Sequence, residues 1–229
     1  MSIKRENDRI FKEGTFPDMR SETVAEFPDI PEITRTERFS VPENISKETT
    51  IQSVLRNAEK GKVIALNFAN AMFPGGGYVL GGNAQEESLC RASLLYYTIK
   101  KQKKYYRKNR LHVLPDYTDT MIYSENVPVI RDDHGKLLEK PMKCSFITSP
   151  AVNRTFAKFM MPGRRIDRIM QQRVRRIVML AASKKPDIII LGAFGCGVFG
   201  NRREKVLPVF EEMINRYVPD DIQVIFAIP

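Results

Sequence analysis

The sequence has no tryptophan, two histidines and three cysteines among its 229 residues. His112 and His134 stand apart, and no paired Cys or His spacing is present, so we expect no metal site. An odd number of cysteines does not make a disulfide framework, which favours reduced thiols and a cytoplasmic protein. No apolar run could span a bilayer, and residues 1–6 have no apolar signal core, so no membrane partner is expected.

The charge is strongly one-sided. Lysine and arginine outnumber aspartate and glutamate by 37 to 27, for a net charge of +10, which favours a polyanionic partner. Residues 100–110 carry seven basic side chains and no acid, as at the solvated end of a helix, and a distal polyanion-binding patch stays open as an alternative. Because the interleaved aromatic stripes of a stacking platform are absent, direct nucleic-acid binding is not expected.

The order of apolar segments predicts an α/β protein with three layers around a buried central sheet. Residues 164–185 show helical spacing, and 187–191 are nearly all apolar, as in a strand covered on both faces. Residues 33–41 alternate weakly and predict an outer strand, whereas 10–11 and 23–25 suit short helices. The remaining predicted elements are a helix capped within 46–49, a helix from about 84, a helix over 202–217, and strands at 62–67, 121–124, 127–130, 144–149 and 223–228.

A first glycine-rich loop follows the predicted strand 62–67 and contains five glycines, including the triplet Gly75, Gly76 and Gly77. Glycine lets bare backbone N–H groups approach a ligand. Glu86 and Glu87 then stand at a helix start, beside whatever the loop holds. A flexible turn and an ordinary acidic first turn are the alternatives. The combination favours an enzyme that acts on a phosphate-bearing ligand.

A second glycine loop, 192–201, lies between a predicted strand and a predicted helix. Its amides and the positive end of that helix suit a diphosphate, and a tight strand-to-helix turn is the alternative. Cys196 has no neighbouring histidine, so we interpret it as a small packing residue rather than a nucleophile.

Three short motifs resemble the signature of poly(ADP-ribose) glycohydrolases, especially the compact microbial type: Phe-Ala-Asn at 68–70, Gly-Gly-Gly at 75–77 and Gln-Glu-Glu at 85–87. The second loop resembles the family's diphosphate loop, and the likeness is closest from residue 63 onward. It implies a macrodomain, with a central mixed sheet flanked by helices over 33–229 and an N-terminal accessory segment, 1–32, packed on it.

The resemblance also implies an activity: hydrolysis of ribose–ribose O-glycosidic bonds in poly(ADP-ribose), releasing ADP-ribose, without a cofactor. ADP-ribosylated proteins would be partners, and the protein would be a monomer. A non-catalytic ADP-ribose-binding module is the alternative. Gln85, Glu86 and Glu87 discriminate between the two, because a pure binding module does not need two acids against the ribose.

The residue roles follow from the resemblance. Glu87 matches the catalytic acid/base, Glu86 the residue that binds a ribose hydroxyl, and Asn70 the residue that orients the distal ribose. Glycoside hydrolysis needs such a carboxylic acid, and adjacent buried carboxylates raise a carboxyl pKa. The implied substrate-binding residues are Asn70, Gly75, Gly76, Gly77, Gln85, Gly195, Cys196, Gly197, Val198, Phe199 (against the ribose), Gly200, Asn201 and Phe226 (against adenine, with a core position as its alternative). Thr148, Ser149 and Asn153 are candidate pocket residues without an assigned role.

Overall fold

A mixed seven-stranded sheet forms the centre of the computed structural model, which describes residues 2–229. The strand order is β1-β4-β5-β3-β6-β7-β2. Strands β5, β3, β6, β7 and β2 are parallel neighbours, whereas β4 runs antiparallel to both β1 and β5. The strands are β1 Arg20–Val24, β2 Ile45–Ser46, β3 Val63–Phe68, β4 Met121–Arg131, β5 Leu137–Ser149, β6 Ile188–Leu191 and β7 Gln223–Ala227.

Helices cover both faces of the sheet, which confirms the three-layer α/β prediction. Alternate residues of β3 enter different cores: Ile64 and Leu66 pack with α7 and α8, whereas Val63 and Ala65 pack with α2 to α5. This division follows from the two-residue period of a strand. The helices are α1 Ile3–Glu13, α2 Thr50–Asn57, α3 Gln85–Ala92, α4 Leu95–Ile99, α5 Lys103–Leu111, α6 Arg154–Ala157, α7 Gly163–Ser183 and α8 Arg203–Tyr217.

The N-terminal segment corrects two predictions. Residues 33–41 form no strand; they cross α8 and bond to it, for example through the Ile33 N–H to the Arg216 carbonyl (2.8 Å). No helix forms at 23–25; residues 23 and 24 instead belong to β1, which pairs with β4 at the edge of the sheet. The helix expected around 10–11 is present as α1. The segment 1–32 therefore supplies a strand to the central sheet itself.

Helix α1 is attached to α3 through one buried side chain, Asn7. Its amide donates to the Arg91 carbonyl (3.0 Å) and accepts from Arg131 Nε (3.0 Å). Arg131 in turn pairs with Glu6 of α1 at 2.7 Å. The accessory segment is thus tied to the helix that carries the paired acids.

The remaining elements differ from the predictions only in detail. Strands expected at 121–124 and 127–130 are one strand, β4, with an irregularity at Asn126, whose φ is +52°. Helix α2 is capped by Thr49, whose hydroxyl accepts from the Gln52 N–H (3.2 Å) while the Gln52 side chain accepts from the Thr49 N–H (3.0 Å). This reciprocal pair is a capping box. Within residues 2–229, no helix has the length and apolar character needed to cross a membrane.

Candidate active site

The two glycine loops leave the same edge of the sheet. Strands β3 and β6 are adjacent and parallel, so their carboxyl ends lie side by side. The Phe68 and Phe194 rings meet at 5.8 Å, edge to face, at the base of the loops. Residues predicted from two distant motifs are therefore brought to one cleft.

Gln85 fixes the start of α3 to the end of β3. Its Oε1 accepts from the Phe68 N–H (2.9 Å), and its Nε2 donates to the Leu66 carbonyl (2.8 Å) and to Thr50 Oγ1 (3.1 Å). Both the oxygen and the nitrogen of the Gln85 amide therefore bond to other residues of the chain. Gln85 therefore orients the two following carboxylates instead of contacting a ligand through this amide.

Glu86 is 2% exposed and is held by the end of β3. Its Oε2 accepts from the Asn70 N–H (2.7 Å), and its Oε1 accepts from Asn67 Nδ2 (3.3 Å). Burial raises the pKa of Glu86 to about 8; hydrogen bonds from Asn70 and Asn67 oppose this rise, and the charge of Glu87 adds to it. A carboxyl of this kind exchanges a proton near neutral pH.

Glu87 is also buried, and its two carboxylate oxygens differ. Oε1 accepts from the Gly77 N–H at 2.7 Å. Oε2 is buried and has no hydrogen-bond partner within residues 2–229. Because buried polar atoms are nearly always paired, an orphaned carboxylate oxygen in a cleft marks a place for a ligand group.

The glycine triplet lies against the Glu87 carboxylate, whereas its predicted role was a ligand cradle. The Gly77 N–H binds Glu87 and the Gly76 N–H binds the Phe73 carbonyl (3.0 Å). Gly75 and Gly76 have φ of +70° and +54°, and a Cβ on Gly76 would lie 2.5 Å from Glu87 Oε1. The sequence pattern indicated close approach correctly, but the approaching group is the Glu87 carboxylate.

Asn70 has a free donor group. Its Oδ1 accepts from the Met72 and Phe73 N–H groups (both 2.9 Å), which closes a turn at the exit of β3. Its side-chain NH₂ makes no hydrogen bond within residues 2–229 and is available for a ligand hydroxyl.

The second loop offers three successive open backbone donors. The N–H groups of Gly197, Val198 and Phe199 have no acceptor within the described chain, and Val198 is 86% exposed. Successive free amides of this kind form an anion cradle. Helix α8 begins at Arg203, so its positive end lies close to the same loop.

Asn201 and two glycines fix the shape of the second loop. Asn201 Nδ2 donates to the Val152 carbonyl (2.8 Å) and to the Gly195 carbonyl (3.2 Å), so this buried amide is structural. Gly195 and Gly200 have φ of +71° and +69°, and a Cβ on Gly195 would lie 2.4 Å from Ala151 Cβ. No larger residue fits at Gly195.

Cys196 and Phe199 are half-buried at the root of the second loop. Burial raises the pKa of the Cys196 thiol to about 11, which agrees with a packing role. The Phe199 ring lies 6.1 Å from that of Tyr117 and packs on the core beneath the loop. Phe199 is therefore positioned beside the free amides.

The interpretation of Phe226 as an adenine-stacking residue is corrected. Its side chain is 0% exposed, and its ring packs between Phe210 (5.7 Å) and Phe39 (6.3 Å). Residues 33–41, which carry Phe39, cover this part of β7. A ring enclosed on both sides has no face for a base, so the alternative core position holds.

Sequence reasoning missed the support behind Glu86. Asn67 is fully buried in β3 and donates to Thr148 Oγ1 (3.1 Å) as well as to Glu86. A polar residue in an otherwise apolar strand was the available signal, because burying an amide requires a partner. Ser149 Oγ and Asn153 Oδ1 are buried without a partner among the described residues.

Comparison with known proteins agrees with this arrangement. Paired buried acids and a loop of free amides, both at the carboxyl edge of a mixed sheet, define an enzyme of the macrodomain class. Residues 4–132 match the family model of the microbial-type PARG catalytic domain, which is more than half of the chain. The chain belongs to the microbial-type poly(ADP-ribose) glycohydrolase family. No curated protein matches it.

Solved structures of two bacterial enzymes are similar over most of the chain. Poly(ADP-ribose) glycohydrolase from Thermomonospora curvata, bound to the inhibitor ADP-HPD, is 28% identical with a TM-score of 0.81, covering 99% of this chain and 91% of that one. The enzyme from Deinococcus radiodurans, in complex with ADP-ribose, is 37% identical with a TM-score of 0.75, covering 80% of this chain and 75% of that one.

Proposed function

We propose that the protein hydrolyses ribose–ribose O-glycosidic bonds of poly(ADP-ribose), releasing ADP-ribose, with Glu87 as the general acid. The observation that carries the assignment of Glu87 is its buried, unpaired Oε2 beside a loop of free amides. That oxygen is the one able to meet the oxygen that leaves when the glycosidic bond breaks. Hydrolysis of such bonds requires a proton at that position.

The paired acids supply and retain the proton. The carboxyls of Glu86 and Glu87 are consecutive in α3 and both are buried. The raised pKa of Glu86, about 8, supports a pair that keeps one proton near neutral pH. Glu87 delivers a proton to the leaving oxygen and then, as a carboxylate, accepts one from the attacking water.

Candidate binding groups lie at the same sheet edge as the acids. The amides of Gly197, Val198 and Phe199, with the positive end of α8, suit the diphosphate of the substrate. The free NH₂ of Asn70 and the carboxyl of Glu86 suit the hydroxyls of the distal ribose. The ribose is then fixed next to Glu87 before the bond breaks.

The setting of the reaction is a further part of the proposal. We propose that the protein acts as a monomer in the cytoplasm on ADP-ribosylated proteins, and that it leaves the last protein-linked ADP-ribose in place. Support for a reducing compartment comes from three cysteines that form no disulfide, two of them fully buried.

A gel assay on labelled poly(ADP-ribose) tests the activity. Wild-type protein is expected to convert the polymer to ADP-ribose, at the same rate with and without a metal chelator. Persistence of full-length polymer, with folding verified by circular dichroism, contradicts the proposed activity. Loss of cleavage after chelation, restored by one metal, contradicts the mechanism.

We expect ADP-ribose to raise the melting temperature of the protein. The ligand engages the folded cleft and not the unfolded chain, so at about one hundred times its dissociation constant it stabilises the fold by about 2.7 kcal/mol. Differential scanning fluorimetry over a concentration series measures the shift, with adenosine as the control that lacks the diphosphate. An equal shift with adenosine argues against diphosphate binding by the second loop.

The raised pKa of Glu86 predicts that Glu86→Gln becomes more stable, relative to wild type, as the pH rises. Since the folded-state pKa, about 8, is above the ordinary value of 4.5, the stability contributed by Glu86 is full below pH 4.5 and is lost as the pH rises toward 8. Glutamine is neutral throughout. The melting temperature of Glu86→Gln minus that of wild type should therefore increase from pH 5 to pH 8.

Any pH-independent destabilisation by the glutamine amide shifts this difference in melting temperature equally at all pH values. The readout is therefore the slope of the difference against pH. The exposed Glu43, changed to Gln, is the matched control and should give no slope. A flat difference for Glu86→Gln would show that burial does not favour the protonated form of this side chain.

A further inference from the structure

A groove between α7 and α8 is separate from the paired acids and is not used by the proposed mechanism. It is a cavity of about 420 Å³ that adjoins the end of the second loop at Asn201. This volume lies within the range of small-molecule sites, roughly 300–1,000 Å³. Its apolar lining consists of Met170, Val174, Val206 and Val209.

The charged lining of this α7–α8 groove is unbalanced. Asp167 is the single acid in the lining and is shared by Arg154 and Lys205, the latter at 2.6 Å. Three further arginines line the groove and make no ion pair or side-chain hydrogen bond within residues 2–229: Arg164, Arg168 and Arg202.

Uncompensated guanidinium groups around one cavity repel one another, and an anion relieves that repulsion. The planar fork of an arginine pairs with two oxygens of a phosphate at once. The cationic side chains of the groove therefore recognise phosphate oxygens. The apolar lining adds a surface that a bare phosphate does not use, but that a nucleoside does.

We propose that the α7–α8 groove binds a second nucleoside-diphosphate unit of the poly(ADP-ribose) chain, outside the cleft in which the bond is cut. This proposal rests on the proposed function, because it assumes the same polymer. A polymer that contacts two linked sites dissociates more slowly than a single unit does. Long chains should therefore bind more tightly than ADP-ribose, and the groove should account for the difference.

The test removes two of the unpaired charges. Arg164→Gln/Arg168→Gln is made in the Glu87→Gln background, so that the polymer is not consumed during the measurement. Arg5→Gln/Arg9→Gln is the matched control, because both arginines are exposed on α1, make no ion pair within the described chain, lie outside the basic run 100–110, and remove the same charge. Circular dichroism verifies the folding of each variant.

Polymer affinity is measured by fluorescence anisotropy over a salt series, and ADP-ribose affinity by calorimetry. Loss of two phosphate contacts lowers the slope of log affinity against log salt by about 1.4, at about 0.7 per contact. We expect the affinity for the polymer to fall about tenfold in Arg164→Gln/Arg168→Gln. The affinity for ADP-ribose should be unchanged, and the α1 control should remain close to the parent.

Three results overturn the proposal. An equal loss in the α1 control means that net charge, and not the groove, attracts the polymer. A parallel loss of ADP-ribose affinity places the two arginines in the cleft. Single-stranded RNA of equal length that binds as tightly, and weakens equally, makes the groove a general polyanion surface. Cleavage by wild-type protein is measured on the same polymer, so failure of the enzyme function is seen separately.

Discussion

Glu87→Gln is expected to lower the rate of poly(ADP-ribose) cleavage by about 10²–10⁴-fold, the usual contribution of a general acid–base group. The amide oxygen can still accept from the Gly77 N–H, so the local geometry is kept. The amide cannot, however, deliver a proton from the position of the unpaired Oε2. Turnover of labelled polymer and calorimetric affinity for ADP-ribose are measured together, and the affinity should largely survive.

Two further variants are compared with Glu87→Gln. The exposed Glu43→Gln makes the same chemical change outside the site and should keep wild-type turnover. Glu86→Gln should also lose activity, but with weaker polymer binding, since in the proposed mechanism Glu86 binds the ribose. Near wild-type turnover by Glu87→Gln would show that Glu87 is not the general acid. If wild type and Glu87→Gln bind ADP-ribose equally and neither cleaves polymer, the protein is a binding module.

Arg173→Met is expected to lower the free energy of unfolding by about 3–5 kcal/mol, the usual effect of removing one partner of a buried charge network. Arg173 is 0% exposed and pairs with Asp119 at 3.0 Å. It also donates to three backbone carbonyls from two separate segments: Asp116 (2.8 Å), Tyr117 (3.2 Å) and Pro150 (3.0 Å). These carbonyls lose their donor, and methionine supplies no replacement.

Arg176→Met is the matched control, because Arg176 also pairs with Asp119 but is partly exposed. A pair of that kind contributes roughly 0–1 kcal/mol. Urea unfolding at constant m-value compares the two variants. Equal losses would mean that the three carbonyl bonds add nothing beyond the shared ion pair with Asp119.

The predictable parts of the fold are those with a strong local pattern. Helix α7 begins at Gly163 and α8 at Arg203, each within one residue of its prediction, because apolar spacing alone defines them. Arg173 shows the limit of prediction from a local sequence pattern. It lies on the buried stripe of α7, and its burial depends on carbonyls contributed by residues 116–117 and 150, which no local pattern reveals.

The same limit applies within the candidate site. The motifs indicated two loops, which leave one edge of the sheet, since glycine and carboxylate patterns are local. They did not indicate which donor serves which acceptor. The Gly77 amide turned out to hold Glu87, and Phe226 turned out to be covered by residues 33–41, because both outcomes depend on tertiary packing.

The pairing of β1 with β4 also has a consequence during protein synthesis. Position 20 pairs with position 125, so β1 leaves the ribosome well before its partner exists. At 5–20 residues per second, the wait is roughly 5 to 20 seconds. The delay is longer for Asn7 of α1, whose partner Arg131 follows 124 positions later. The charged, weakly apolar composition of this segment suits the delay, because it gives an unpaired strand little tendency to aggregate before β4 emerges.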